Sequence, residues 1–322
     1  MHLYYRNVNS AFRELIAGFN NGFVSTIETH SRNGPVMQAI EPMTITYSKP
    51  TERVLLNIER DCNPFFHMFE SLWMLAGRAD VAPLAHYNSN IANYSDDGKT
   101  FHGAYGYRWR KHFGYDQLAW IADELFANPG SRRCVLQAWD VKDDLQQIND
   151  RNCSQCNGTG VTPETESIYC KYCSGTGIRK KATKDVPCNT EIFFSIIKSN
   201  HLPVLDMTVC NRSNDLVWGM LGANVVHMSM LQEYMAACIG INVGHYNQFT
   251  NNLHVYKDKW MPEKWLGEYE ADYLMYETFE QKVPLVSNPE VFDKECEEFI
   301  DNAVNPSKNW QEPFLQKVAS PM

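Results

Sequence analysis

No apolar run in this chain approaches the roughly 20 residues that a membrane-crossing helix needs. The opening Met1-His2-Leu3-Tyr4-Tyr5-Arg6 lacks the basic-then-apolar order of a secretion signal, and no low-complexity tract is present. The expectation is a soluble, cytoplasmic protein. Net positive charge is missing too: 29 Lys and Arg stand against 38 Asp and Glu, a formal charge of −9. A sequence-independent grip on a nucleic-acid backbone needs a basic face, so a small ligand is expected instead of a polymer. A disulfide scaffold is not expected either. Of ten cysteines in 322 residues, four form two C-x-x-C pairs and the others are scattered, which reads as reduced thiols.

What the chain has is 44% hydrophobic residues, enough for one large domain. That domain is read as residues 1–148 and 185–322, interrupted by a cysteine-rich insert at 149–184. Helical spacing predicts a first helix over Ser10 to Phe19 and a second after Asn63-Pro64, with Phe65, Phe69, Leu72 and Leu75 on one side. A third covers Gln117 to Phe126. Leu221, Val225, Met228, Leu231, Met235 and Cys238 recur every three or four residues and predict the longest helix over Met220 to Ile239, its methionine stripe turned to the core. Strand-like segments run through Val36 to Tyr47, Val54 to Ile58, Cys134 to Trp139, Glu191 to Lys198 and Leu205 to Cys210.

Cys188 lies in Asp185-Val186-Pro187-Cys188-Asn189-Thr190, followed by Asn211-Arg212-Ser213-Asn214-Asp215 and then Asn224. A thiol, a cation, a hydroxyl, a carboxylate and an amide in this order suit covalent catalysis on a phosphorylated heterocycle. Arg212 offers a planar fork for phosphate. Asn224 both donates to and accepts from an amide-like ring edge, and a thiol beside a cation is biased toward thiolate. Alone, any such cysteine reads first as structural and any arginine as a solvated charge; the group gives them weight. Glu70, on an otherwise apolar helix, is costly unless paired or used.

Seven short motifs occur in order: Arg32-Asn33-Gly34, Glu70-Ser71-Leu72-Trp73, Gly103-Ala104-Tyr105-Gly106, Ser131-Arg132-Arg133, Pro187-Cys188, Arg212-Ser213-Asn214-Asp215 and His254-Val255-Tyr256. From Arg32 to Tyr256 the chain resembles the thymidylate synthase and deoxycytidylate hydroxymethylase family. The resemblance implies an α+β, two-layer fold whose large mixed sheet mediates a homodimer with shared active sites. It implies that Cys188 adds to pyrimidine C6, so that C5 takes a one-carbon unit from 5,10-methylenetetrahydrofolate. Glu70 would handle protons at the ring carbonyl and the transferred carbon, with Tyr105 and Asp215 completing the catalytic set. Arg32, Arg132, Arg133 and Arg212 match the phosphate cluster, the adjacent pair reaching into the partner subunit. Ser213 and Asn211 would be further substrate contacts, and His254 with Tyr256 would hold the sugar 3′-hydroxyl.

Asn224 decides the base. Its amide satisfies uracil N3–H and O4 together, whereas an aspartate would suit cytosine, so dUMP is the expected substrate and a dCMP hydroxymethylase the weaker alternative. The interval from Asp215 to Asn224 is one residue longer than the family's, and the extra residue is assigned to Leu221-Gly222-Ala223. Two further departures bear on the product. Ile91 falls near the position of a tryptophan that stacks on the folate, and Asn189 replaces the histidine after the nucleophile. Weak folate stacking favours attack by water on the one-carbon unit, giving 5-hydroxymethyl-dUMP. The alternative is dTMP, with Tyr94 supplying the lost stacking. The tail Gln316 to Met322 matches the family's site-sealing terminus only loosely.

Cys153-Ser154-Gln155-Cys156-Asn157-Gly158-Thr159-Gly160 is repeated as Cys170-Lys171-Tyr172-Cys173-Ser174-Gly175-Thr176-Gly177. Four thiolates close one tetrahedral Zn²⁺ and leave no open position, so the metal would be structural; a redox dithiol is the alternative. The repeat also resembles the zinc module of DnaJ-type chaperones, without any other part of such a protein. Arg179-Lys180-Lys181 and Lys184 read as a solvated linker or a site for an acidic partner. A zinc-dependent binding protein on a dead enzyme scaffold is the non-enzyme reading, opposed by the intact Cys188, Glu70, Arg212 and Asn224.

Overall fold

The computed structural model describes the chain apart from residues 32, 146–147, 154, 162–168, 171–172, 174, 176, 182, 200–201, 268–275, 277–282, 303–308 and 320–322. Two-residue alternation builds its centre. In β8 (Asn189–Ser199), Ile192 and Phe194 are buried while Phe193 is 39% exposed. In β9 (Leu202–Asn211), Leu205, Met207 and Val209 face the same interior. These strands form an antiparallel pair with Phe194 opposite Met207. Beside β9 runs the parallel β11 (Asn242–Thr250), which places Tyr246 next to Met207. With β4 (Met43–Tyr47), β1 (His2–Tyr5) and β5 (Val135–Gln137) they make a six-stranded mixed sheet in the order β1-β4-β11-β9-β8-β5. A second sheet has the order β10-β12-β3-β2, from β10 (Asn214–Asp215), β12 (Leu253–Tyr256), β3 (Gly34–Ala39) and β2 (Thr26–Ser31).

Helices cover one face of the large sheet. Helix α1 (Val8–Asn20) starts at a capping box in which Asn7 accepts from Ser10 N–H and the Ser10 hydroxyl accepts from Asn7 N–H. Asn63 caps α2 (Pro64–Leu75), with proline at its first position where the missing N–H is harmless. After α3 (Gln117–Ala127) comes the central α4 (Asn224–Ile239), which packs on α2, β9 and β11 and buries Met228, Met230, Leu231 and Met235. Helices α5 (Pro289–Asn302) and α6 (Pro313–Ala319) pack together near the end of the chain, and α5 also lies on α2. The other face of the sheet is left uncovered in the single chain, with Ile197 47% and Tyr4 60% exposed. Among the described residues no helix is long and apolar enough to cross a membrane.

Three expected elements differ. Val36 to Tyr47 is not one strand but β3 and β4 in separate sheets, parted at Ile40-Glu41-Pro42, where proline supplies no ladder donor. Val54 to Ile58 forms no strand. Side chains take its backbone bonds: Asn9 Nδ2 donates to Val54 O and Asn9 Oδ1 accepts from Leu56 N, while Tyr276 Oη bonds both Val54 N and O. The helix predicted from Met220 starts earlier and is broken, with π-helical turns over Leu216–Ala223 leading into α4 and Gly222 outside helical geometry at φ −122°, ψ −114°. A π turn holds one more residue than an α turn. Such a turn offers room for the extra residue expected between Asp215 and Asn224.

Candidate active site

Cys188 sits immediately before β8, partly exposed, and its backbone is fixed from two sides. The buried Tyr105 hydroxyl accepts from both Cys188 N–H (3.0 Å) and Asn189 N–H (3.1 Å). Burial raises the Tyr105 pKa, with Cys188 adding to the rise, so the phenol stays protonated. From the other side Arg212 Nε donates to Pro187 O at 2.8 Å and Nη2 to Val186 O at 3.1 Å, while Nη2 lies 3.9 Å from Cys188 Sγ. The guanidinium also stands 5.6 Å from the ring centre of Trp139, a residue that sequence spacing gave no means of finding. A cation is thereby held beside the thiol with its remaining surface exposed to solvent.

Three amides follow in a line. Asn224 Nδ2 donates to Asn214 Oδ1 (3.0 Å), Asn214 Nδ2 to Asn211 Oδ1 (3.3 Å), and Asn211 Nδ2 to Phe249 O (3.1 Å). Asn211, expected as a substrate contact, spends its side chain inside this relay and is only 1% exposed. Asp215 caps the π-helical turns by accepting from Val217 and Trp218 N–H, and its other oxygen is buried without a partner. It is paired in register with His254 across β10 and β12. Burial raises the Asp215 pKa and lowers that of His254. Tyr256 stands edge-on to His254 at 5.4 Å.

Glu70 projects from α2 toward α4, where Oε2 lies 2.9 Å from His227 Nε2, although off the line a hydrogen bond requires. His227 is 5% exposed and neither ring nitrogen has a hydrogen-bond partner. Sequence reading missed this residue because it is embedded in the apolar stripe of α4. His67, 6.2 Å away edge-on, has its pKa pushed down to about 4 by burial, with His227 contributing. Glu70 also lines a cavity of about 220 Å³ with Trp73, Ile91, Tyr94, Tyr105 and Asp185. A larger cavity of about 450 Å³, between Arg53, Phe65, Glu233 and Tyr276, contains none of the expected chemical groups. The smaller one shares Tyr105, whose hydroxyl holds the Cys188 backbone.

The remaining expected residues are dispersed. Arg132 and Arg133 are exposed just before β5, and Arg133 pairs with Glu124 at 2.8 Å. Ser213 is half-buried in the turn after Arg212. Arg32 lies outside the described residues, as do residues 320–322 of the tail.

The cysteine repeats fold as two facing knuckles on a hairpin of β6 (Ile148–Asn152) and β7 (Ile178–Lys181). Cys153 N donates to Gly177 O and Cys170 N to Gly160 O, a reciprocal pair. A side chain at Gly160 would strike Gly175 O and one at Gly177 would strike Gly158 O, so the knuckles meet only because both positions are glycine. The sulfurs of Cys153, Cys156, Cys170 and Cys173 lie within 4.8 Å of one another. Cys153 and Cys170 are 3.9 Å apart and Cys156 and Cys173 3.7 Å, far beyond a disulfide. A ZnS₄ tetrahedron with 2.3 Å bonds has edges of about 3.8 Å, so the thiols fit that ion. Burial pushes the Cys173 thiol up, but the Gly177 N–H and its thiol neighbours outweigh it and bring it to about 7.

Comparison with known proteins adds independent findings. The thymidylate synthase family model matches residues 25–264. Over 98% of its length the chain is 38% identical to a deoxyuridylate hydroxymethyltransferase of Pseudomonas phage M6, covering 81% of that protein. A deoxyuridylate hydroxymethyltransferase of Bacillus phage SP01 is 35% identical over 70% of this chain and 52% of its own length. A thymidylate synthase of Symbiobacterium thermophilum is 26% identical over 59% of this chain and 58% of its own.

Proposed function

The chain belongs to the thymidylate synthase family, and from that premise we propose that it is a deoxyuridylate hydroxymethyltransferase, converting dUMP to 5-hydroxymethyl-dUMP. The observation that carries the reading is the pairing of Cys188 with Arg212 beside a cavity whose wall has Ile91 where the family stacks a tryptophan. Cys188 is the nucleophile at C6, and the 3.9 Å approach of Arg212 Nη2 favours its thiolate. Asn224 reads the uracil edge, its Nδ2 tied to Asn214 so that Oδ1 is turned to accept from N3–H. Glu70 handles protons at the ring, and Tyr105 fixes the nucleophile's backbone. Asp215, whose second oxygen is buried without a partner among the described residues, completes the catalytic set, and His254 with Tyr256 holds the sugar.

Arg212 and Ser213 bind the phosphate with Arg32 and with Arg132 and Arg133 of a second copy. Support for that homodimer comes from the sheet face left uncovered by the described residues and from the exposure of the arginine pair. Trp73, Ile91 and Tyr94 are the residues that would hold 5,10-methylenetetrahydrofolate, which supplies the one-carbon unit when bound. Tyr94, 52% exposed, offers an aromatic face and is the feature that favours the dTMP alternative. Cys153, Cys156, Cys170 and Cys173 form a structural Zn²⁺ site that stiffens the insert at 149–184.

The test is mass spectrometry of the product formed from dUMP and 5,10-methylenetetrahydrofolate. 5-Hydroxymethyl-dUMP with tetrahydrofolate is the expected outcome. dTMP with dihydrofolate would replace this reading by thymidylate synthesis.

A further inference from the structure

The cavity beside Cys188 contains a second carboxylate that neither the phosphate, the base nor the sugar contacts employ. Asp185 lies three residues before the nucleophile and lines the same 220 Å³ space as Glu70, Trp73, Ile91 and Tyr94. Its placement is specific. Oδ2 accepts from Gly103 N–H at 2.7 Å, and its backbone N–H donates to Thr183 Oγ1 at 3.2 Å. A side chain at residue 103 would fall 2.9 Å from Asp185 O and 3.0 Å from Pro187 Cδ, so glycine is what lets the two segments approach closely enough for that bond.

Oδ1 makes no hydrogen bond among the described residues, and no cation lies within ion-pair distance of the carboxylate. A half-buried carboxylate that lines the cavity with no cation at ion-pair distance keeps one oxygen available to a bound water, which marks it as a candidate functional group. Burial raises its pKa, against the lowering effects of the Gly103 N–H, His102 and Arg108, and Asp96 adds to the rise. It is thus a stronger proton acceptor than a solvated aspartate.

We propose that Asp185 is the general base that deprotonates the water attacking the one-carbon unit, an assignment that rests on the hydroxymethyl reading above. After carbon transfer and loss of the C5 proton, the pyrimidine is bonded through C6 to Cys188 and carries an exocyclic C5=CH₂. Water oxygen bonds to the CH₂ carbon as its proton passes to Asp185, and the exocyclic double-bond electrons move to form the C4 enolate. That enolate then re-forms C4=O, the C5=C6 bond forms, and Cys188 leaves as thiolate with the C–S bond pair. One proton rests on Asp185, and no oxidant or reductant is consumed. Glu70, set against His227 on the α2 wall, serves the ring; Asp185, on the nucleophile's own segment, serves the exocyclic carbon.

The experiment compares wild type, Asp185→Asn and Asp185→Glu with [5-³H]dUMP, methylenetetrahydrofolate and added 2-mercaptoethanol. Tritium release counts carbon transfers. Each transfer then ends either as 5-hydroxymethyl-dUMP or, if water attack is slow, as the thioether of mercaptoethanol on the exocyclic carbon. For Asp185→Asn, which keeps an acceptor for Gly103, the ratio of hydroxymethyl product to released tritium should fall about 100-fold, the usual worth of a general base, and thioether should take its place. Asp185→Glu should recover part of the ratio. An unchanged ratio in Asp185→Asn, or equal ratios in the Asn and Glu variants, overturns the assignment. If the wild type itself yields dTMP and dihydrofolate, the parent reading fails, which is visible before any variant is made.

Discussion

Asn224 Nδ2 donates to Asn214 Oδ1 at 3.0 Å, so a buried neighbour sets the orientation of the amide proposed to read the base. Both nitrogen and oxygen of that amide then have assigned directions. Asn224→Asp should move preference from dUMP toward dCMP, because an ionised carboxylate only accepts. Competition between the two nucleotides measures it; a change of preference in Ala223 variants and none in Asn224→Asp would relocate the base contact.

Removing the relay is a separate expectation. Asn214→Ala leaves Asn224 in place but unanchored, and Asn211 Oδ1 loses its donor. We expect a fall of about fivefold in kcat/KM for dUMP, from the loss of roughly 1 kcal/mol of hydrogen bonding, with narrowed discrimination against dCMP. Unchanged kinetics would show that the uracil itself orients the amide.

Cys188→Ala should abolish turnover and tritium release while dUMP binding by calorimetry stays within about threefold, since the thiol is not needed for phosphate or base contacts. Residual turnover comparable to wild type would remove the covalent mechanism.

Metal analysis under reducing conditions should find about one Zn²⁺ per chain, as one four-thiolate site requires. Cys153→Ser together with Cys170→Ser should lose it, because these two sulfurs come from different knuckles, 3.9 Å apart. Absence of zinc from the wild type would favour a redox dithiol.

His67 has its pKa lowered from 6.5 to about 4, first by burial and then by His227. The folded state binds this proton less readily than the unfolded chain. Its contribution to stability is therefore complete above pH 6.5 and is lost as pH falls from there toward about 4. In His67→Gln the drop in unfolding free energy from urea titrations between pH 7 and pH 4.5 should be smaller than in wild type, by on the order of 1 kcal/mol after screening. An identical drop would assign the acid sensitivity to other groups.

The main helices and the β8–β9 pair were legible because their apolar spacing is local, as Phe65 to Leu75 and Leu205 to Val209 illustrate. Cys188, Arg212, Asn224 and Glu70 stand out through short motifs; the structure brings Arg212 to 3.9 Å from Cys188 Sγ and sets Glu70 in a cavity wall with Tyr105. Val54 to Ile58 was misread because its backbone partners are side chains 40 or more residues away, which no local pattern reports. His227 and Trp139 stayed hidden for a similar reason. Their significance comes from which distant residue they face, Glu70 for one and Arg212 for the other.

The π-helical turns before Asn224 have a consequence for how such a site changes over time. The turn is wide and Gly222 leaves helical geometry within it, while Asp215 stands in register with His254 and Asn224 reaches Asn214. Distance along the chain and position in space are uncoupled over these eight residues, Leu216 to Ala223. A segment built this way can gain or lose length without dismantling the chemistry on either side. Counting residues from a motif would point to Ala223, whereas the proposed base contact is Asn224.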